Sequence, residues 1–315
     1  MITTFQHDIL QGFSQKQKTL PPKFKYDLSG SGLFEEITKQ PEYYLTRAEI
    51  EILESSAHEI ASFLGEKPLL IEYGSGNCRK TKILLDALPN LSTYIPIDIS
   101  EEFLHTTVEE LKTTYPNLPV FPLAADYTQP LTLPPLNNIQ TGRWLAFFPG
   151  SSIGNIEKEA SRKLLILIAS TLRTGDGLLI GADRKKDPSI LRTAYHDKAR
   201  ATATFNTNIL DRINKEAPAT FDRGKFQHWA EYNRDKGRIE IGIQSLENQI
   251  VEVAGNQIHF RKEEVFFTEF SYKFSPEEFI QFVSLAGFEF LKSWSDRQNY
   301  FSIYLFRKSF VLKTS

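Results

Sequence analysis

Residues Leu69 to Leu88 read LLIEYGSGNCRKTKILLDAL. An apolar run closes on Glu72 and is followed by Gly74 and Gly76. Apolar residues then recur at helical spacing, with Ile83, Leu84, Ala87 and Leu88 as the predicted buried side. This is a strand, a tight turn and a helix. A sharp turn off a strand needs residues that accept positive φ and let a ligand approach the backbone, and glycine does both. The helix start behind the turn presents N–H groups to an anion or a carboxylate. Asp98 lies 22 residues beyond Gly76, at the predicted end of the next strand, where a carboxylate can accept from both hydroxyls of a ribose. An ordinary tight turn would use the same two glycines; the placing of Asp98 tips the reading toward an adenosine cofactor.

The alternation extends outward from this stretch. Upstream, a helix is predicted from Thr46, with Thr46 and Glu49 at the spacing of a capping box and Ile50, Leu53, Ala57, Ile60 and Leu64 on one face. Downstream come the strand TYIPIDIS, a helix EEFLHTTVEELKTTY capped by Ser100, the strands PVFPLAADY and RWLAFFPG, the helix SRKLLILIASTLR and the strand GDGLLIGAD. Strands alternating with helices imply parallel pairing in a doubly wound sheet, with ligands at the carboxyl ends of the strands. The alternation stops near Asp187. Residues 190–215 read as helical and 226–274 as strands. SPEEFIQFVSLAG then reads as a helix capped by Ser275, and FEFLKSWSD and YFSIYLFRK as a closing hairpin. The expected fold class is α/β: a Rossmann-like core over 57–190 and 275–315, interrupted by an α+β domain built from 1–56 and 191–274.

Composition narrows the function. At 315 residues and 41% hydrophobic content the chain can bury a sizeable core. A formal net charge of -2 gives no basic excess for nucleic acid. Cys78 is the single cysteine, which excludes an internal disulfide and a cysteine-based zinc cluster. The six histidines (His7, His58, His105, His196, His228 and His259) show no metal-ligand spacing, so no metal is expected. MITTFQHDILQGFSQKQ lacks the basic flank and apolar centre of a secretory signal, and no apolar run approaches the ~18 residues of a membrane span. The expectation is a cytoplasmic, monomeric protein acting on a small molecule.

Two motifs compete for the chemistry. A dinucleotide fingerprint wants a third glycine where Cys78 stands, so E-x-G-x-G with an acid ending the second strand suits S-adenosylmethionine better than NAD. Cys78 can equally be a small apolar filler between strand and helix. Asp126 and Tyr127, ending the third predicted strand, can read the adenine amino group and stack on its ring, or serve as a turn acid beside a core aromatic. Gly150-Ser151-Ser152-Ile153-Gly154 matches the G-x-S-x-G elbow of an α/β-hydrolase, with Ser152 as nucleophile. That reading needs a histidine after a late core strand, whereas His228 and His259 fall in the β-rich insertion, and it leaves Gly74, Gly76 and Asp98 without a role. The other use of GSSIGN is as the loop facing the reactive end of a cofactor, with Asn155 offering an amide.

LPPKFKYDLSGSGLFEEITKQPEYYLTRAEIEIL, LIEYGSGNCRKTKILLDAL, YIPIDIS, FFPGSSIGN, KDPSILRTAYHDKARATATFNTNIL and FTEFSYKF occur in this order. Together they resemble the histidine Nα-methyltransferases of ergothioneine biosynthesis (the EgtD family) over nearly the whole chain. The resemblance implies a class I S-adenosylmethionine-dependent methyltransferase core with a substrate-binding domain. It also implies up to three methyl transfers to the α-amine of L-histidine, giving trimethylhistidine (hercynine). By position it implies a cofactor set of Gly74, Lys80, Asp98, Asp126 and Tyr127, which Gly76 joins from the reading of the turn. It implies an amino-acid set of Tyr43, Asn155, Tyr195, Glu269 and Ser271, with Tyr43 and Asn155 nearest the reacting amine and Tyr26 also facing the pocket. Glu269 and Ser271 are two apart, so on a strand they share a face and can hold the two nitrogens of an imidazole. Ile241 stands where the family often has a methionine against the ring, which opens the alternative of another aromatic amino acid such as a tryptophan derivative. An indole has no second ring acceptor and would gain little from Glu269.

Overall fold

The computed structural model describes residues 3–136 and 139–309. Residues 1–2 and 310–315, which end the two predicted segments, lie outside the described residues. In chain order the elements are α1 (Thr4–Ser14), α2 (Leu28–Thr38), α3 (Tyr44–Leu64), β1 (Leu69–Tyr73), α4 (Arg79–Ala87), β2 (Thr93–Asp98) and α5 (Glu101–Thr114). Then come β3 (Leu123–Ala124), β4 (Trp144–Phe148), α6 (Lys158–Thr171), β5 (Gly177–Asp183), α7 (Pro188–Ala194) and α8 (Ala201–Glu216). The chain continues with β6 (Phe226–Asn233), β7 (Arg238–Ser245), β8 (Gln249–Val253), β9 (Asn256–Phe260), β10 (Val265–Tyr272), α9 (Pro276–Ser284), β11 (Phe288–Ser295) and β12 (Phe301–Lys308). They form two compact units. One takes the chain up to Tyr44 together with Lys186–Tyr272; the other takes Leu45–Lys185 and the chain from Lys273 onward.

The larger unit is built on a seven-stranded sheet in the order β11-β12-β5-β4-β1-β2-β3. β1 pairs in parallel with β2 and β4, and β4 with β5; only the closing hairpin of β11 and β12 runs antiparallel. The strand order reverses between β1 and β4, so the switch point where ligands bind in such sheets lies beside the loops after these two strands. Both strands are covered on both faces, which is why LLIEY and WLAFF are near-continuous apolar runs. α4 buries Thr81, Leu84, Leu85 and Leu88, while Ile83 and Ala87 are only half-buried.

Three local expectations change. α3 starts at Tyr44, so Thr46 and Glu49 lie inside it and form no capping box; the fully buried Glu49 turns to Lys80 and Gly150 instead. Ser100 occupies the N-cap of α5, but its side chain makes no capping bond. The strand predicted over PVFPLAADY shrinks to Leu123–Ala124, preceded by an isolated bridge between Val120 and Tyr94, because Pro119 and Pro122 cannot donate to a ladder. The Ser275 cap of α9 forms fully, with Glu278 reaching back to the Ser275 N–H. Ser275→Ala is expected to cost about 1 kcal/mol of this unit's stability, read as a lower denaturation midpoint with unchanged slope.

The second unit carries a three-stranded antiparallel sheet, β10-β7-β6, and the hairpin of β8 and β9. Ala254 and Gly255, both at positive φ (47° and 77°), close that hairpin as a two-residue turn. Its core gathers Ile9 and Phe13 of α1, Leu20 and Phe24, Ile209, Leu210 and Ile213 of α8, and Phe226, Ile243, Phe260 and Phe266 from the strands. The N-terminal segment is also tied on through backbone: Leu20 N–H donates to the Phe267 carbonyl at 2.8 Å, and Phe267 N–H to that of Lys18 at 3.0 Å.

Candidate active site

The chemistry-bearing residues form two constellations, one in each unit. In the larger unit the loop after β1 bends through Gly74 (φ 77°), Gly76 (φ 52°) and Cys78 (φ 53°) into α4. Gly76 N–H donates to Asp98 Oδ2 at 3.1 Å, and Ser100 N–H to Oδ1 at 3.1 Å, so the carboxylate at the end of β2 is oriented through both oxygens. Burial raises its pKa, and the N–H groups of Ser100, Gly76 and Ile99 pull it back. Ser75 Oγ, between the glycines, is buried without a hydrogen-bond partner. Tyr127 stands against the Gly74 turn: a Cβ on Gly74 would come 3.7 Å from its ring, and Tyr127 packs edge-on to Tyr73 and Phe148. Asp126 Oδ1 accepts from Thr128 N–H at 3.0 Å, so it does form a turn.

The loop after β4 lies beside the same turn. Lys80 Nζ meets Glu49 Oε2 at 2.6 Å, and Glu49 accepts the Gly150 N–H with both oxygens (3.0 and 2.9 Å). Glu49 thus ties α3, the start of α4 and the GSSIGN loop together. Ser152 Oγ donates to the Pro149 carbonyl at 2.9 Å inside a 3-10 turn that ends at half-buried Asn155. A serine held this way is a turn residue, not an activated nucleophile.

Glu72, ending the apolar run of β1, is buried. Thr81 Oγ1 donates to it at 2.7 Å, the Tyr94 hydroxyl donates as well, and Cys78 Sγ lies 3.3 Å from that hydroxyl. Burial pushes the Glu72 carboxyl up to about 8 and the Cys78 thiol up to about 12. Cys78 is therefore an inert filler of the strand–helix junction. The Glu72 carboxyl folds protonated. Its contribution to stability is complete below its ordinary value of 4.5 and is lost as the pH rises through about 8. Glu72→Gln keeps a donor and an acceptor but cannot ionise. Relative to the variant, the natural protein is expected to lose about 1.4 kcal/mol per pH unit within that window, measured by denaturant unfolding at stepped pH.

In the second unit, Glu269 and Ser271 sit on β10, directly opposite Ile241 and Ile239 of β7, so these four side chains share one face. A register shift between Phe267 and Glu269 precedes them. Tyr195, at the C-terminal end of α7, donates its hydroxyl to Ser271 Oγ at 2.8 Å. Rings continue from there: Tyr195 to Tyr43 (6.3 Å), Tyr43 to Phe34 (6.3 Å), Phe34 to Tyr26 (5.8 Å) and Tyr26 to Phe205 (5.4 Å). Lys25, buried over the Phe205 ring, forms an ion pair with Glu269 Oε2, while Glu269 Oε1 is buried without a partner. The structure thus brings Tyr26, Tyr43, Tyr195, Ile241, Glu269 and Ser271 into one region of this unit, and Gly74, Gly76, Lys80, Asp98, Tyr127 and the GSSIGN loop into one region of the other.

Sequence reasoning missed Lys25, Glu49, Phe34 and Phe205. Lys25 carried a usable signal, since a lysine between Phe24 and Tyr26 in an otherwise apolar loop is either exposed or paired. Glu49 was hidden by its capping-box spacing.

No helix among the described residues is long and apolar enough to cross a membrane, and no group of three or more potential metal ligands forms among them. A family model described as histidine-specific methyltransferase, SAM-dependent, matches residues 5–308. The chain is 37% identical over 305 residues to the histidine N-alpha-methyltransferase of Mycolicibacterium smegmatis, covering 95% of this chain and 94% of that protein. It is 37% identical to the protein of the same name from Mycobacterium tuberculosis, covering 96% and 94%. Against ergothioneine biosynthesis protein 1 of Schizosaccharomyces pombe it is 30% identical over 94% of this chain and 40% of that longer protein. Matched by its model almost from end to end, this chain belongs to the histidine-specific, S-adenosylmethionine-dependent methyltransferase family.

Proposed function

We propose that the protein methylates the α-amine of L-histidine, in up to three successive transfers that give trimethylhistidine, the chemistry of the ergothioneine route. The observation that carries this reading is the acceptor–donor pair on β10: Glu269 with a buried, unpartnered oxygen, and Ser271 positioned by Tyr195. A neutral imidazole offers one ring N–H and one ring acceptor, and the pair matches both. An indole offers only the N–H, which favours histidine over tryptophan derivatives; Ile241, opposite Glu269, shapes the apolar wall beside the ring.

The loop after β1 fits the cofactor. Gly74 and Gly76 hold positive φ, the orphaned Ser75 hydroxyl lacks a partner, and Asp98 keeps lone pairs after accepting from Gly76 and Ser100. Gly74, Gly76, Lys80, Asp98, Asp126 and Tyr127 are assigned to hold it: Asp98 the ribose hydroxyls, Asp126 the adenine amino group, and Tyr127 the ring face. S-adenosylmethionine supplies a methyl group on a sulfonium sulfur, already a strong electrophile. The protein's part is therefore to hold, orient and dry the reactants. Glu269 and Ser271 fix the imidazole, and Tyr195, whose single O–H donates to Ser271, positions that pair. Asn155 takes both carboxylate and amine and aims the nitrogen lone pair. Tyr43 lines the reacting centre, where an aromatic face tolerates a growing methylammonium charge. Firm hold on ring and carboxylate leaves the amine free to rotate between transfers. Tyr26, beside Phe34 and Phe205, completes the aromatic wall.

Incubation with S-adenosylmethionine and a mixture of the proteinogenic amino acids, followed by mass spectrometry, tests this directly. Histidine is expected to gain one, two and three methyl groups, with S-adenosylhomocysteine formed in step. Methylation of another amino acid with histidine untouched would overturn it.

A further inference from the structure

Lys25 is a feature of this region that the proposed function leaves unused. It sits in a 3-10 turn, Pro22–Lys25, and is 1% exposed. A fully buried lysine is tolerated only when paired, and its partner is Glu269, through Oε2. The other oxygen of Glu269, Oε1, has no partner although it is buried. Wherever the shared proton rests within the Lys25–Glu269 pair, the two side chains together carry no net charge.

We propose that Lys25 is a specificity-determining residue: by neutralising Glu269 it makes the ring site accept an uncharged heteroaromatic N–H on Oε1 and reject the charged imidazolium. This rests on the reading that Glu269 and Ser271 hold the ring. An unpaired Glu269 would draw the cation strongly in so buried a place. A neutral pair gives it no compensation for lost water.

Other ionisable groups do not supply that compensation. His228 and Tyr232 of β6 lie opposite Ile243 and Ile239, on the same face as Glu269. Burial pushes His228 down to about 4, with Lys25 and His196 adding to the effect and Asp197 opposing it, so it stays uncharged above that pH. From the turn come Tyr26 and Asp27, the latter capping α2 and accepting from Asn208 at 3.3 Å. Arg212 of α8 pairs with Glu216 and donates to the Phe24 carbonyl. Arg238 and Glu240 of β7 alternate with Ile239 and Ile241 and pair with each other on the opposite face.

The test is calorimetric titration of the full chain, saturated with S-adenosylhomocysteine, between roughly pH 5.5 and 8, where free imidazole changes charge. Two ligands are compared: L-histidine and triazolylalanine, whose ring stays uncharged throughout. For the natural protein, histidine affinity is expected to fall up to about tenfold per pH unit below the imidazole pKa, while triazolylalanine affinity stays level. In Lys25→Met, and in Lys25→Gln, which keeps a donor for Oε2, the histidine profile is expected to flatten or invert. Lys25→Arg is expected to restore the natural profile. A natural protein that binds histidine equally well or better at the acidic end overturns the inference, whether or not the variants fold. So does an unchanged slope in both uncharged variants. Failure of the natural protein to bind histidine at any pH overturns the underlying ring assignment instead, so the two failures are separable.

Discussion

The Glu269→Ala variant is expected to lose about 100-fold of its affinity for L-histidine while binding S-adenosylhomocysteine within about twofold of the natural protein. Truncation removes an acceptor already stripped of water, so binding loses both the hydrogen bond and the advantage of a site prepared in advance. Stability is expected to fall as well, because Lys25 is left buried without its carboxylate, a situation that costs about 3–5 kcal/mol. Glu269→Gln separates the two effects: the amide oxygen can still accept from Lys25, so less stability is lost than in Glu269→Ala. The amino group left at the ring position is a donor facing the ring N–H, so histidine affinity still drops about tenfold. Cofactor binding guards against misreading, since the residues assigned to the cofactor all lie in the other unit. Histidine affinity unchanged in Glu269→Ala would falsify the assignment of this strand to the ring.

How much of this was legible in advance follows from the range of the forces involved. The doubly wound sheet was readable because each strand and helix advertises itself through local periodicity, and LLIEYGSGN reports its own turn through two glycines. The β3 region was over-read because apolar content in PVFPLAADY outweighed its two prolines, whose missing donors cut the ladder to Leu123–Ala124. The pair Glu269 and Ser271 was legible as a shared face from period-two spacing alone. Their partners were not: Lys25 is 244 residues from Glu269, and nothing local pairs them.

Glu49 shows the same limit from the other side. Its spacing from Thr46 satisfies a local rule, and that rule lost to a tertiary one. A carboxylate deep in the unit must find donors, and two were in reach: the Lys80 ammonium and the Gly150 N–H, the latter shared between both carboxylate oxygens. Together they offered more than one exposed N–H at a helix start. The consequence reaches the proposed cofactor site, because the start of α4, just behind the loop after β1, and the loop after β4 are held by one side chain. Neither the start of α4 nor the loop after β4 can shift without breaking a buried charged contact. Near-identical spacing can therefore mark a cap or a clamp, and burial decides which.

Asp98→Ala is the mirror of Glu269→Ala: S-adenosylhomocysteine is expected to bind about 1,000-fold more weakly, with kcat/KM falling at least in proportion. Two contributions combine. The carboxylate has about four lone-pair sites; the N–H groups of Gly76, Ser100 and Ile99 engage part of them, and the remaining capacity serves a pair of vicinal hydroxyls. Each charge-assisted bond so formed is worth about 1.5–3 kcal/mol. Removing the carboxylate also frees Gly76, whose left-handed conformation is held in part by its bond to Asp98, so the turn must be reordered on binding. Asp98→Asn distinguishes these effects. Its oxygen can still accept from one backbone N–H, while its amino group confronts the other, so the affinity loss is expected to be smaller, about 30-fold, and the turn intermediate in order. An Asp98→Ala protein that binds S-adenosylhomocysteine within threefold of the natural one would remove the ribose from the end of β2, and with it the reason for an acid 22 residues beyond Gly76.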